Sequence, residues 1–262
     1  MIAALLLVAV GAGDLARGAR SLALGWVLAA VAWSATLALG LLGGAPPIAV
    51  SLAVLGGVAW SMAAEGLSGS RSTPLPVVAL LAIAVVVALA ADGALPAPPP
   101  TVLGAEVARL AGGATLARVL LVLGAVLVLL RTANLIVRAT LVQAVDRRLE
   151  PVAGRPAASG WRVRLGSREI GAVEPVVAAS APSRLRGGRI IGPLERGFVL
   201  ALALLGAWAA LGALVAAKGI VRFPEISRDR PSGSKAEEFL IGSLASWAVA
   251  GALALLLAVH PA

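Results

Sequence analysis

The chain is dominated by uninterrupted apolar runs that approach or reach the length of a membrane-spanning helix. A helix needs roughly 20 apolar residues to cross the hydrocarbon core of a bilayer. The chain has 60% hydrophobic and only 13% charged residues, too little polar surface for a soluble protein of 262 residues. The runs occupy residues 2–13, 22–42, 48–64, 77–91, 113–130 and 198–217, and a last one begins at Phe239. These runs predict an all-α polytopic membrane protein of about seven transmembrane helices.

The runs divide the chain into three regions. Residues 1–130 form an N-terminal membrane region of about five spans, and residues 131–188 form a basic juxtamembrane helix and a soluble insertion. Residues 189–262 form a C-terminal two-helix membrane region with a charged loop. The first run is short and no basic residue precedes it, which favours a retained short helix over a cleaved signal peptide.

Basic residues are concentrated between the fifth and sixth runs. Residues 131–196 contain twelve arginines and five acidic residues, a net charge of +7. Basic loops resist translocation, so this segment is expected in the cytoplasm, with the N-terminus outside and the C-terminus inside. Residues 161–174 alternate around a Gly-Ser pair, which predicts a small β-hairpin. The excess positive charge is typical of the cytoplasmic face of a membrane protein, and we expect no nucleic-acid partner.

Several charged residues adjoin the first five apolar runs. Asp14, Arg17 and Arg20 form the first polar loop and are expected at headgroup level. Arg118 lies inside the fifth run, where it either snorkels to the interface or is a functional intramembrane charge. Arg131 and Arg138 are seven residues apart and share a helix face, which predicts contact with anionic lipid headgroups.

The stretch around the sixth run has the most specific-looking loops of the chain. Glu195 near a helix start, and Lys218 and Arg222 near a helix end before Pro224, are explained as charges that complement the helix dipole. The alternative is a paired polar cluster, because the only two lysines flank this one loop. The candidates for such a cluster are Glu195, Arg196, Lys218, Arg222, Glu225, Lys235, Glu237 and Glu238.

Three blocks in this stretch carry a family resemblance. They read Gly-x-x-Ile-Gly-x-Leu-Glu-Arg at 188–196, Ala-Ala-Lys-Gly-Ile-x-Arg-Phe at 216–223 and Ala-Glu-x-Phe-Leu-Ile-Gly-Ser-Leu-x-Ser at 236–246. In this order they resemble the C-terminal signature of a bacterial family of integral-membrane proteins of unknown function. The resemblance implies placement in a membrane and not a chemistry. It directs attention to Glu195, Arg196, Lys218, Arg222, Glu237 and Gly242.

The composition limits the kinds of metal site and catalytic mechanism that the chain could contain. The chain has no cysteine and a single histidine, His260, so thiolate metal sites and histidine-based catalysis are not expected. We expect no enzyme activity, no cofactor and no metal site. The function predicted first is that of a membrane scaffold or complex subunit in the plasma (inner) membrane. Its basic cytoplasmic segment would bind anionic lipid, other membrane subunits or a second copy of the chain. The alternative is a small-molecule or ion carrier or channel with a polar site near the last two helices.

Overall fold

The computed structural model describes residues 1–19, 21–67, 74–96, 98–149, 161–165, 168–173, 188–228 and 234–260. Five helical segments there are long and apolar enough to cross a membrane, which is the architecture of a polytopic membrane protein. They are Leu22–Leu42, Pro47–Glu65, Pro76–Ala94, Leu116–Ala144 and Lys235–Val259. The helices are α1 (Ile2–Ala16), α2 (Leu22–Leu42), α3 (Pro47–Leu67), α4 (Pro74–Ala94), α5 (Val102–Leu110), α6 (Leu116–Leu127), α7 (Ala133–Leu149), α8 (Gly188–Leu204), α9 (Trp208–Arg228) and α10 (Ser234–Val259).

Helix α1 lies at the centre of the bundle. Residues 3–10 are all buried, and α2, α3, α4 and α6 pack around them. Two glycines allow α1 and α6 to touch along their backbones. A Cβ on Gly11 would lie 2.6 Å from Cβ of Leu127, and one on Gly124 would lie 2.7 Å from Cβ of Leu7. Such close packing of small residues is what holds helices together in lipid, where apolar surface alone gives no driving force.

One end of the bundle is organised by Asp92, and we call it the Asp92 end. The carboxylate of Asp92, in the last turn of α4, accepts hydrogen bonds from the backbone N–H groups of Ile2 (2.7 Å) and Ala3 (3.0 Å). It therefore satisfies the first turn of α1 and complements the positive end of its dipole. His260, after α10, lies 3.9 Å from Asp92. The beginning of α1 and the ends of α4 and α10 thus meet here.

The opposite end is organised by Arg17, and we call it the Arg17 end. The Arg17 guanidinium donates to the backbone oxygen of Ser61 (2.6 Å) and to Oε1 of Glu65 (3.1 Å), both on α3. It also lies over the ring of Trp26, 4.9 Å from the ring centroid. Arg17 therefore ties the end of α1 to the end of α3 and the beginning of α2.

The fifth apolar run continues without a break into the basic helix. Helix α6 passes through a π-helical turn, Val128–Thr132, directly into α7. The juxtamembrane helix expected from residue 131 onward is therefore the continuation of the span. After α7, β1 (Trp161–Leu165) and β2 (Arg168–Val173) pair antiparallel, with a register shift between Val163 and Arg164.

The expected single span at 198–217 is two helices. Helix α8 ends at Leu204 and α9 begins at Trp208, and Gly206 between them has φ +66°. Lys218 Nζ lies 2.5 Å from Glu195 Oε1. In one straight helix these residues, 23 positions apart, would be separated by about 34 Å. Helices α8 and α9 therefore fold back on each other as a helical hairpin. Five candidate spans, rather than seven, are found in the described residues.

Candidate functional site

Two groups of polar side chains lie on either side of the π-helical turn. The Asp14 cluster lies where α1 meets α3 and this turn, and its members are Asp14, Arg17, Trp60, Ser61, Arg131 and Thr132. The Glu195 cluster lies where the α8–α9 hairpin meets α10 and the beginning of α7, and its members are Asn134, Glu195, Arg196, Lys218, Ser246 and Trp247.

Asp14 is the centre of the first cluster. Its side chain is buried, with the residue only 1% exposed. The carboxylate oxygen Oδ2 accepts hydrogen bonds from Nε1 of Trp60 (2.8 Å) and Oγ1 of Thr132 (2.6 Å). The other oxygen, Oδ1, lies 3.9 Å from Nη1 of Arg17, which is beyond hydrogen-bond distance. Asp14 therefore lies buried in the last turn of α1, rather than in a polar loop as the sequence predicts.

The Asp14 cluster also holds unsatisfied polar atoms. In the part of the chain that the structure describes, three buried side-chain polar atoms have no hydrogen-bond partner: Asp14 Oδ1, Ser61 Oγ and Arg131 Nε. All three belong to this one cluster. Buried polar groups are normally hydrogen-bonded, because an unpaired group costs about 1–3 kcal/mol. These three atoms make the Asp14 cluster a candidate site for a proton or a polar ligand.

The π-helical turn joins this cluster to the second one. A π-helical turn departs from the regular i→i−4 hydrogen bonding of an α-helix and so changes which backbone groups are available to side chains. Here the backbone oxygen of Leu129 accepts hydrogen bonds from Nε (3.1 Å) and Nη2 (2.9 Å) of Arg196. Thr132, in the same turn, donates to Asp14 on the other side. The two clusters therefore share one irregular turn.

Arg196 is buried, with 2% exposure, and is surrounded by acceptors. Besides Leu129 it donates to Oδ1 of Asn134 (2.7 Å) and to Oγ of Ser246 (3.3 Å). It thereby connects α8 to the π-helical turn, α7 and α10. A buried guanidinium is tolerated where such oxygens surround it, and here it anchors the helical hairpin to the bundle.

Glu195 links the two helices of the hairpin. Its Oε1 accepts from Nζ of Lys218 (2.5 Å) and from Nε1 of Trp247 (2.8 Å). The ammonium group of Lys218 also lies 5.2 Å from the ring centroid of Trp247 and 5.9 Å from that of Phe239. Helix α8 begins at Gly188 and α9 runs on to Arg228, so Glu195 and Lys218 lie inside helices. Their expected role as helix-end charges is therefore wrong. The alternative prediction, a paired polar cluster, describes the contact between these two residues.

Apart from the buried Arg196, the other predicted members of the polar cluster are exposed wherever the structure describes their side chains. Arg222, Lys235 and Glu237 are exposed, and each interacts with another group. Glu238 is exposed near the beginning of α10. The side chain of Glu225 lies outside the described residues. Gly242 of the family pattern faces Leu141, whose side chain would lie 3.6 Å from a Cβ there.

Arg118 lies at a helix end rather than in the middle of a span. Thr115 caps α6 by accepting from the Arg118 N–H (3.2 Å), which places Arg118 in the first turn. Its Nη1 donates to the backbone oxygens of Leu257 and His260 (2.9 Å for the latter). These are carbonyl groups at the end of α10, where a positive charge complements the helix dipole. This geometry favours a structural role for Arg118.

Arg131 and Arg138 differ from the arginines just described. The Arg131 side chain is partly exposed and lies against Gly18, with its tip pointing to the end of α1. Arg138 is exposed on α7, two turns further on. Neither guanidinium hydrogen-bonds or ion-pairs with a described residue, whereas Arg17, Arg109, Arg118 and Arg196 all do. Arg131 interacts electrostatically with Asp14, without a hydrogen bond to it.

An apolar cleft of about 1050 Å³ separates α4 from α10. Its walls are aliphatic, with Val78, Leu81 and Val85 on one side and Leu253, Leu256 and Val259 on the other. Asp92 and His260 border it at the Asp92 end. The lining includes no member of the Glu195 cluster. No group of three metal-ligating side chains occurs within the described residues.

Comparison with known proteins adds no family to this description. No family model matches the chain, and neither the curated proteins nor the solved structures include a significant match. The resemblance over residues 188–246 therefore stays a prediction.

Proposed function

We propose that the protein is a non-catalytic scaffold of the plasma membrane that binds the phosphate group of an anionic lipid at its Arg17 end. The proposal joins two parts, a membrane orientation and a binding surface. The orientation has α1 and the five candidate spans crossing between the two ends, with the α8–α9 hairpin entering and leaving at the Arg17 end. The Arg17 end then faces the cytoplasm, together with the β1–β2 insertion.

The distribution of basic residues supports this orientation. Among the described helices, Arg109 and Arg118 belong to segments at the Asp92 end. Arg17 and Arg131 lie at the Arg17 end, and Arg138 follows Arg131 on the same continuous helix. Basic residues close to helix ends set the orientation of a membrane protein, with the positive side inside. The re-entrant hairpin also brings Lys218 and Arg222 to the cytoplasmic side, where a spanning helix would have placed them outside.

The observation that carries the binding surface is that neither the Arg131 nor the Arg138 guanidinium makes a hydrogen bond or ion pair with a described residue. They are seven residues apart on the continuous α6–α7 helix and share one of its faces. Guanidinium groups match the geometry of phosphate oxygens, and each basic residue close to an anionic membrane surface contributes about 1 kcal/mol of binding free energy. The two arginines therefore suit an anionic headgroup in the cytoplasmic leaflet.

The same contacts favour a scaffold over a carrier. Three of the charges expected to serve a transport path have protein partners: Glu195 pairs with Lys218, and Arg118 donates to backbone oxygens at the end of α10. Glu195 and Arg196 fasten the hairpin to α10 and to the π-helical turn. The large cleft between α4 and α10 is lined by aliphatic side chains, which do not suit a polar solute.

The test is a lipid titration of the purified protein in detergent, followed by native mass spectrometry. We expect phosphatidylglycerol to bind more tightly than phosphatidylcholine. Arg131→Gln and Arg138→Gln should each weaken phosphatidylglycerol binding about 5-fold, with phosphatidylcholine unaffected.

Arg109→Gln is the matched control, because Arg109 is paired with Glu106 on α5 at the opposite end. It should bind phosphatidylglycerol as the unchanged protein does. Equal binding by all three variants and the unchanged protein would refute the binding surface.

A further inference from the structure

We propose that Asp14 is a proton-binding site that controls the anionic-lipid site at Arg131, so that protonation of Asp14 strengthens lipid binding. The inference rests on the proposed function, because it assigns a regulator to the same lipid site. It starts from a buried carboxylate that the scaffold role does not require.

The two carboxylate oxygens of Asp14 differ in their hydrogen bonding. Oδ2 is held by Trp60 and Thr132, so the orientation of the carboxylate is fixed. Oδ1 is buried and has no hydrogen-bond partner. A carboxylate held in this way accommodates a proton on Oδ1 without losing an existing hydrogen bond. The step forms a single O–H bond with a proton from solvent and converts the carboxylate into a neutral carboxylic acid.

The charged groups around Asp14 come from three elements. Arg17 belongs to α1 and is shared with Glu65 and the Ser61 backbone oxygen of α3. Arg131 belongs to the π-helical turn and interacts electrostatically with Asp14. The remaining polar neighbours, Trp60, Ser61 and Thr132, have side chains that are neither acids nor bases at ordinary pH. Helix α2 contributes Trp33, whose Nε1 donates to the backbone oxygen of Ala9.

Arg131 connects the proton to the lipid. The adjacent residue, Thr132, donates a hydrogen bond to Asp14. The Nε atom of Arg131 is buried and has no hydrogen-bond partner among the described residues. The negative charge of Asp14 lowers the positive potential at Arg131 and therefore competes with an arriving phosphate. Protonation removes this competition. By linkage, phosphate binding at Arg131 must in turn favour proton uptake by Asp14.

The Asp14→Asn variant tests the coupling. Asparagine keeps an oxygen for Trp60 and Thr132 but carries no charge, so it imitates the protonated state. Phosphatidylglycerol affinity of the unchanged protein should rise at least about 5-fold as the pH falls through the range in which Asp14 takes up its proton, a typical coupling between sites. Asp14→Asn should bind tightly throughout that range. Ser61→Ala, which removes the neighbouring unpaired hydroxyl but no charge, should keep the pH dependence.

A second comparison does not require Asp14→Asn to fold. Arg131→Gln should lose the pH dependence, because the coupled cation is gone, whereas Arg138→Gln should bind more weakly but keep it. These variants distinguish failure of the lipid-site proposal from failure of the proposed role of Asp14. If Arg131→Gln does not weaken binding at any pH, the lipid site itself is wrong. If it weakens binding but the unchanged protein shows no pH dependence, or Asp14→Asn retains it, only the role of Asp14 is overturned.

Discussion

Arg196 is the residue on which the attachment of the α8–α9 hairpin depends most. Arg196→Ala removes the donors to Leu129, Asn134 and Ser246 and leaves the Leu129 backbone oxygen buried without its partner. An unsatisfied buried acceptor costs about 1–3 kcal/mol, and the lost packing adds to this. We therefore expect a clearly lower melting temperature, measured by tryptophan fluorescence of the purified protein.

Arg109→Ala is the matched comparison for this substitution. Arg109 is bonded to Glu106 on the surface of α5, and exposed ion pairs contribute about 0–1 kcal/mol. Its melting temperature should stay close to that of the unchanged protein. A similar, small effect of both substitutions would show that Arg196 does not hold the hairpin.

At the residue scale, the sequence indicated one cluster and missed the other. Glu195, Arg196 and Lys218 stood out because they interrupt apolar sequence beside motif-like loops. Asp14 also interrupts apolar sequence, but it comes at the end of a short run, where a charge is normally at a helix end. Only the central position of α1, which depends on α2, α3 and α6 packing around it, shows that Asp14 is buried.

Helices α1 and α6 depend on two glycines for their contact. A methyl group at Gly11 would meet the Leu127 Cβ at 2.6 Å and the Val128 backbone nitrogen at 2.8 Å, so the helix backbones would have to separate. We expect Gly11→Ala to destabilise the protein, in contrast to the usual effect of glycine replacement in a helix. Thermal unfolding in detergent measures the difference.

Gly212→Ala provides the control on α9. A Cβ there meets nothing within 4 Å, so alanine should be neutral or stabilise by up to about 1 kcal/mol through its higher helix propensity. If Gly11→Ala and Gly212→Ala shift the melting temperature equally, backbone contact between α1 and α6 is not what holds the centre of the bundle.

At the element scale, hydropathy predicted where apolar helices lie but not where one of them turns back. Residues 198–217 are apolar on both sides of Gly206, and a glycine inside an apolar run is common in membrane helices. The turn is revealed by the positive φ of Gly206 and by the contact between Glu195 and Lys218. Neither can be read from composition. The sequence predicted that residues 131–149 stay helical, and what it did not indicate is the π-helical turn Val128–Thr132 that joins them to the span.

For the whole molecule, the hairpin decides the orientation of everything that follows it. A spanning helix at 198–217 would put the connection between α9 and α10 outside and the C-terminus inside. A re-entrant hairpin puts that connection in the cytoplasm and the end of α10 outside, beside the start of α1. The contacts of Asp92 with Ile2 and of Arg118 with His260 bring those two chain ends to one end of the bundle.

Cysteine accessibility distinguishes the two orientations, and the chain contains no cysteine of its own. Single cysteines are placed at Ser21 and Ser227, which belong to the Arg17 end in the re-entrant arrangement, and at Thr101, which belongs to the Asp92 end. A membrane-impermeant maleimide applied to intact cells should label Thr101→Cys only. Ser21→Cys and Ser227→Cys should react only after the membrane is opened. Ser21 caps α2 independently of the hairpin, so it serves as the internal reference for the cytoplasmic side. Labelling of Ser227→Cys together with Thr101→Cys in intact cells would show that α8 and α9 cross the membrane. Arg222 would then lie outside, and the re-entrant arrangement of the hairpin would be refuted, whereas Arg131 and Arg138, which precede the hairpin, would stay on the cytoplasmic side.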